Sequence, residues 1–165
     1  MMPMSGIVCN TGPLIALERV GLLHLFGPLF GHALIPAAVE REFMAGHPIG
    51  KSFFDAKASG LIQVSALEIP LDPLLEGLLD EGEAAVIQLA QRLQIDSVLI
   101  DERKGRKVAR EIYRLKTLGS VRVLLEAKQS GLIDSVRQPL QSMRQHGYRI
   151  HEEIVHAALR QAGEA

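Results

Sequence analysis

Short unbroken apolar runs alternate with stretches in which apolar residues recur every three or four positions, and this alternation sets the expected elements. Gly6 to Asn10 reads as a short strand. Thr11-Gly12-Pro13 then offers a cap and a proline in a first helical turn, so a helix is expected through Leu14, Ile15 and Leu17 to about Leu25. His32 to Ile35 is a second strand left through Pro36, and Ala37 to Met44 is helical until Gly46 to Gly50 breaks it. Phe53 to Ala58 is a further helix, Leu61 to Val64 a third strand and Ile69 to Pro73 a loop. Asp80 to Leu93 is the clearest helix, with Ala85, Val86, Leu89, Ala90 and Leu93 at helical spacing. Ser97 to Ile100 is a fourth strand, Glu102 to Leu115 a helix, and three more helices are expected near Ser120 to Gln129, Ser135 to His146 and Glu152 to Ala162.

Short buried strands alternating with helices imply parallel pairing through right-handed crossovers, hence a three-layer α/β/α domain with a central, mainly parallel sheet. The 165 residues fit one domain, with the C-terminal helices, about 134–163, packed on it. In such sheets ligands bind at the carboxyl ends of the strands, where Asn10 and Asp101 fall.

Composition narrows the class. With 47% apolar and 22% charged residues the chain is not disordered, and one cysteine excludes an internal disulfide. Met1 to Val8 carries no basic stretch of a secretory leader, which points to the cytoplasm. Val20 to Val39 has no acidic residue, lysine or arginine, but its prolines, glycines and histidines break it into short elements, so no membrane span is expected.

The net charge of −1 hides an asymmetry: residues 1–101 sum to −7, residues 102–144 to +7 and the remainder to −1. An acidic block beside a basic one suits a cation site next to a polyanion surface; two patches that pair with each other or with a second subunit are the plainer alternative. The acidic candidates are Glu42, Glu83, Asp101 and Glu102. Converging carboxylates suit Mg²⁺ or Mn²⁺, and phosphodiester hydrolysis is the reaction that joins such a site to a basic surface. Each has a structural reading too: Asp80-Glu81-Gly82-Glu83 resembles a capping box, Glu42 sits as a solvated glutamate would on a helix, and Asp101 is placed to cap the helix starting at Glu102. On that helix Arg103, Lys107, Arg110 and Arg114 are spaced four, three and four apart, one basic face able to hold phosphates.

Ala45 to Ser52 fits a relaxed phosphate-loop pattern, the mark of an NTPase. It follows a helix where such a loop follows a strand, and Pro48 removes a backbone donor. The histidines, His24, His32, His47, His146, His151 and His156, include no pair at the spacing of a helical zinc site.

The ordered combination of Asn10-Thr11-Gly12-Pro13-Leu14, Ile35-Pro36 with Val39 and Glu42, Leu79-Asp80-Glu81-Gly82-Glu83-Ala84, Leu99-Ile100-Asp101-Glu102-Arg103-Lys104, Leu124-Leu125-Glu126-Ala127-Lys128 and Gly131-Leu132-Ile133 resembles the PIN-domain proteins. It is most similar to the uncharacterised bacterial and archaeal subgroup predicted to bind nucleic acids, related to VapC-type toxins. The resemblance implies a PIN-like sheet, a Mg²⁺- or Mn²⁺-dependent nuclease centre, single-stranded RNA as substrate, a homodimer and a small antitoxin protein as partner. It places Asn10 where the family usually has its first aspartate, Glu42, Glu83 and Asp101 on the other acidic positions, Glu102 as an alternative to Asp101, and Ser120 near a further polar position. An amide oxygen ligates a metal without contributing charge, so Asn10 implies either a weakened nuclease or a binding module that keeps the fold.

Overall fold

A computed structural model of the chain describes residues 6–46 and 48–165; Met1 to Ser5, within the N-terminal stretch considered above, and His47 lie outside the described residues. Five strands form one sheet: Ile7–Cys9 (β1), Ala33–Pro36 (β2), Ile62–Ser65 (β3), Ser97–Leu99 (β4) and Lys116–Leu118 (β5). All pairings are parallel, in the order β3-β2-β1-β4-β5, with Val8 opposite Leu34 on one side and Val98 on the other. β1 is apolar throughout because it is central, and Ile7, Val8 and Cys9 are wholly buried. Burying each such aliphatic side chain stabilises the fold by about 1.5–3 kcal/mol.

Helices on both faces complete the expected three layers: Thr11–Arg19 (α1), Phe26–Phe30 (α2), Ala37–Gly46 (α3), Lys51–Ser59 (α4), Pro73–Leu78 (α5), Glu81–Leu93 (α6), Arg103–Glu111 (α7), Ser120–Gln129 (α8), Arg137–Gln145 (α9) and Glu152–Gln161 (α10). α6 runs against β1, β2, β4 and α3, and its residues 82–90 are all buried. α9 packs on α1, and α10 on α8.

Several boundaries differ from expectation, each for a local reason. α1 stops at Arg19 because Gly21 takes a positive φ of 72° and turns the chain into a 3-10 turn at Leu23–Leu25 before α2. α5 arises inside the expected loop, where Asp72 accepts from the Leu74 N–H at 2.9 Å and Pro73 supplies the first turn. α7 ends at Glu111, four residues early. Arg114 takes a positive φ of 59° and Leu115 N–H bonds back to Ala109, which brings Leu115 into the core and leaves Ile112 exposed. Arg114 therefore lies off the helix, and the basic stripe continues only to Arg110.

The phosphate-loop pattern begins in the last two residues of α3 and ends in the first two of α4, with His47 outside the described residues; a helix precedes it, and Lys51 pairs with Asp55 at 3.6 Å. Among the described residues no single helix is long and apolar enough to cross a membrane; α1 and the Leu23–Phe30 helical segment are bent by 117°.

Candidate functional site

The strand order reverses between β1 and β4: β2 and β3 follow on one side, β5 on the other. Loops leaving two neighbouring strands in opposite directions open a crevice at their carboxyl ends. Here it measures about 940 Å³, with Asn10, Glu42, Asp80, Asp101 and Glu102 among the residues on its walls.

Asn10 leaves β1 and is the N-cap of α1, yet its side chain makes no capping bond. Of the two N–H groups a capping oxygen accepts from, the third position, Pro13, has none, and the Asn10 side chain does not take up that of the second, Gly12. The Asn10 Oδ1 atom is buried without a partner. Glu42, projecting from α3, accepts a 2.7 Å hydrogen bond from the Thr11 hydroxyl.

α6 begins as the capping pattern predicts: Asp80 accepts from the Glu83 N–H at 2.8 Å. Asp80 also stays on the crevice wall. Gly82 follows it, and a Cβ on Gly82 would lie 3.1 Å from Glu42 Oε1, 3.4 Å from Asn10 Oδ1 and 3.6 Å from Asp80 Oδ1. Three oxygens from three elements thus surround one bare Cα.

Glu83 turns beneath α7. Its Oε2 has no partner and lies where a Cβ on Gly105 would stand, only 2.6 Å away. Burial pushes its carboxyl up to about 7, helped by the hydrogen bond to Asp80 and the charges of Asp80 and Glu102; a bond from the Asp80 backbone opposes them weakly.

Asp101 is fully engaged. It accepts the Ser120 N–H at 2.7 Å and the Ser120 hydroxyl at 2.5 Å, and the Tyr148 hydroxyl donates to the same Oδ2. It therefore caps α8, one strand further on, while Glu102 occupies the N-cap position of α7. The capping role expected for Asp101 is real but belongs to a different helix. Tyr148, between α9 and α10, stays a neutral donor: burial, the Asp101 charge and the bond to Asp101 all raise its hydroxyl pKa. Burial, aided by the Asp101 charge, likewise keeps Cys9 a thiol.

Positive charge borders these oxygens. Arg106 donates to the Asp101 and Ile100 carbonyls at 2.5 and 3.3 Å, and Arg103, Arg122 and Arg149 line the same crevice. Lys107 and Arg110 share an adjoining basic groove with Arg103 and Arg106. Apolar side chains line the crevice as well: Ile15 of α1, Val121 and Leu125 of α8 and Ile154 of α10.

Asn10, Glu42, Asp101, Glu102, Arg103 and Ser120 thus share one crevice, with Glu83 just behind it, Lys107 and Arg110 beside it and Arg114 displaced by the early end of α7. Sequence reasoning passed over Thr11, Arg106, Arg122, Tyr148 and Arg149. Arg106 stood in the basic run 103–107 at the right distance from Arg103; nothing marks Tyr148, which reaches Asp101 across 47 residues.

The donors suit a hard divalent cation in kind, being oxygens, and the orphaned Asn10 Oδ1 beside Glu42 gives such an ion something to satisfy. Among the described residues no three acidic, histidine or cysteine side chains are gathered to hold a metal. Position 10 is an amide, Asp101 is turned to Ser120 and Tyr148, and Glu83 to Gly105.

Compared with known proteins, the chain matches the model of a family described as PIN domain over residues 6–164. No curated protein and no solved structure matches it.

Proposed function

The chain belongs to the PIN domain family, a nuclease-type fold whose members generally bind divalent metals, and from that membership we propose that it is a metal-dependent endoribonuclease of toxin type acting on single-stranded RNA. The observation that carries the reading is that the buried, unpartnered Asn10 Oδ1, the carboxylates of Glu42, Asp80 and Asp101, and four arginines line one crevice at the switch of strand order. Asn10 and Glu42, with Glu83 behind them, would hold Mg²⁺ or Mn²⁺. A cation held by these residues would supply Lewis acidity towards a phosphoryl oxygen and would lower the pKa of an attacking water. Arg103, Arg122 and Arg149 bind the phosphates on either side of the scissile bond, and Arg106 stiffens the turn that carries Asp101 and Glu102. Unpaired bases, which a duplex buries in its own stack, stack on Tyr148 and the apolar lining. The same reading carries a homodimer, a small antitoxin protein and a cytoplasmic site of action.

A non-catalytic nucleic-acid- or protein-binding module is the second reading, favoured by the amide at position 10 and by the engaged Asp101 carboxylate. Incubation with a single-stranded RNA panel and Mn²⁺ separates the two. Under the nuclease reading cleavage is Mn²⁺-dependent and falls by about 100-fold or more in Glu42→Gln. RNA retained but uncut at every metal concentration sinks the enzyme and favours the module.

A further inference from the structure

We propose that the stretch from Tyr148 through α10 is a gate over the crevice, latched shut by the bond from the Tyr148 hydroxyl to Asp101 and opened to admit a single strand. The proposal rests on the nuclease reading only in taking a single-stranded nucleic acid as the ligand that enters.

Placement is the first observation. The Tyr148 hydroxyl donates to Asp101 Oδ2, beyond the end of β4, and lies 3.3 Å from the point a Cβ on Gly12 would occupy, in the first turn of α1 after β1. It therefore stands between the carboxyl ends of the two strands at which the sheet order reverses. Asp101 Oδ2 already accepts from Ser120 and Tyr148, which fills both of its lone pairs, so a ligand atom that reaches this oxygen has to displace the tyrosine or the serine. Eight of the residues lining the crevice fall between Tyr148 and Gln161, Arg149 among them.

This stretch is also lightly held. From Tyr148 to Gln161 only Ala158 and Leu159 are buried, and Ile154 on the crevice is 43% exposed, whereas α6 buries residues 82–90 entire. Among the described residues, two side-chain bonds tie the stretch to other elements: Tyr148 to Asp101, and Arg144 of α9 to Glu152 at 2.6 Å. The second is an exposed ion pair and contributes little. The half-buried tyrosine is thus the principal polar latch. Both ends of the stretch are anchored, the first by the bond from the Tyr148 N–H to the Met143 carbonyl, the last by Glu164 to α8 and α9. Opening therefore means release of the Tyr148 hydroxyl and lifting of α10 between two fixed points.

Tyr148→Phe keeps the ring and removes the latch, while Asp101 retains both bonds from Ser120 and no carboxylate oxygen is orphaned. Two readouts are taken on the full chain without metal: amide exchange, and fluorescence anisotropy of a short labelled 2′-O-methyl oligoribonucleotide, whose sugars resist cleavage. Loss of a hydrogen bond to a charged group is expected to raise exchange across residues 149–162 about tenfold while β1, β4 and α6 keep their protection. The oligonucleotide is expected to bind the variant about tenfold more tightly, because the open form is then more populated. Melting curves report that the variant folds. Exchange that is unchanged, or raised equally in β1 and β4, overturns the gate. Equal or weaker binding to Tyr148→Phe, when the unaltered chain binds, overturns it too and leaves the RNA reading standing, with the hydroxyl a fixed prop. An oligonucleotide that binds neither form removes the RNA reading, and the gate falls with it.

Discussion

Glu83 shows how a single residue couples the site to stability. Its carboxyl is held up to about 7, chiefly by burial, against an ordinary value of 4.5. The folded chain therefore keeps a proton that the unfolded chain releases. Its contribution to stability is whole below pH 4.5 and declines as the pH rises to about 7. Glu83→Gln carries no ionisable group, so its melting temperature is expected to vary less between pH 5 and 8 and to exceed that of the unaltered chain at pH 8. A parallel pH dependence in the two forms, followed by circular dichroism, removes Glu83 as the source. The identity of this residue was legible in the sequence because an acid three positions after a cap is a familiar pattern. The direction of its side chain was not, since that depends on Gly105 in a helix 22 residues later. Tyr148 was illegible for the same reason: a lone tyrosine after a glycine carries no periodic signal, and its role is created by a distant carboxylate.

Elements with a strong period, such as α6, or with apolar residues throughout, such as β1 and β2, could be read from the chain within a residue or two. β5 could not. Lys116-Thr117-Leu118 is three residues long, lies at the sheet edge and has no apolar run, so only its pairing with β4 makes it a strand. α7 was read four residues too long because Ile112 and Leu115 continue the helical spacing, while the backbone turns at Arg114 to bury only one of them. α10, which walls the crevice, depends on its own C-terminus. Glu164 accepts from the Val136 and Arg137 N–H groups, the Ser135 hydroxyl and Lys128, and so ties the end of the chain to α8 and α9. Burial raises its carboxyl pKa, but these donors outweigh it and hold the value at about 2. The stabilisation is present above the ordinary 4.5 and is lost as the pH falls towards 2. Glu164→Ala is expected to destabilise the fold by about 1–3 kcal/mol at neutral pH and to raise amide exchange across α10. Unchanged exchange there would show that α10 is held by its apolar contacts alone.

Across the molecule, charge follows chain order: the first 101 residues bring Glu42, Asp80 and Asp101 to the crevice, and the residues after them bring its arginines. That division predicts how RNA binding responds to salt. Each phosphate neutralised on a single strand contributes about −0.7 to the slope of log affinity against log salt, so Lys107→Ala with Arg110→Ala is expected to flatten the slope by roughly 1.4 if both make contacts. Arg114→Ala, off the helix, is expected to leave it unchanged. An unaltered slope in the double variant would assign the adjoining groove to solvent or to a protein partner.

The sheet order carries a further consequence, for the order in which the chain is made. β1 can pair with β2, and β2 with β3, once Ser65 has emerged, but the other edge of β1 has no partner until β4 is synthesised. Over that interval the net charge of the emerged chain falls from 0 at Ser65 to −7 at Asp101, before any basic residue of 102–144 is made, so like charge against the RNA of the ribosome builds up as β4 is approached. The arginines are added after Glu42, Asp80 and Asp101, and the crevice is completed last, by Tyr148, Arg149 and α10.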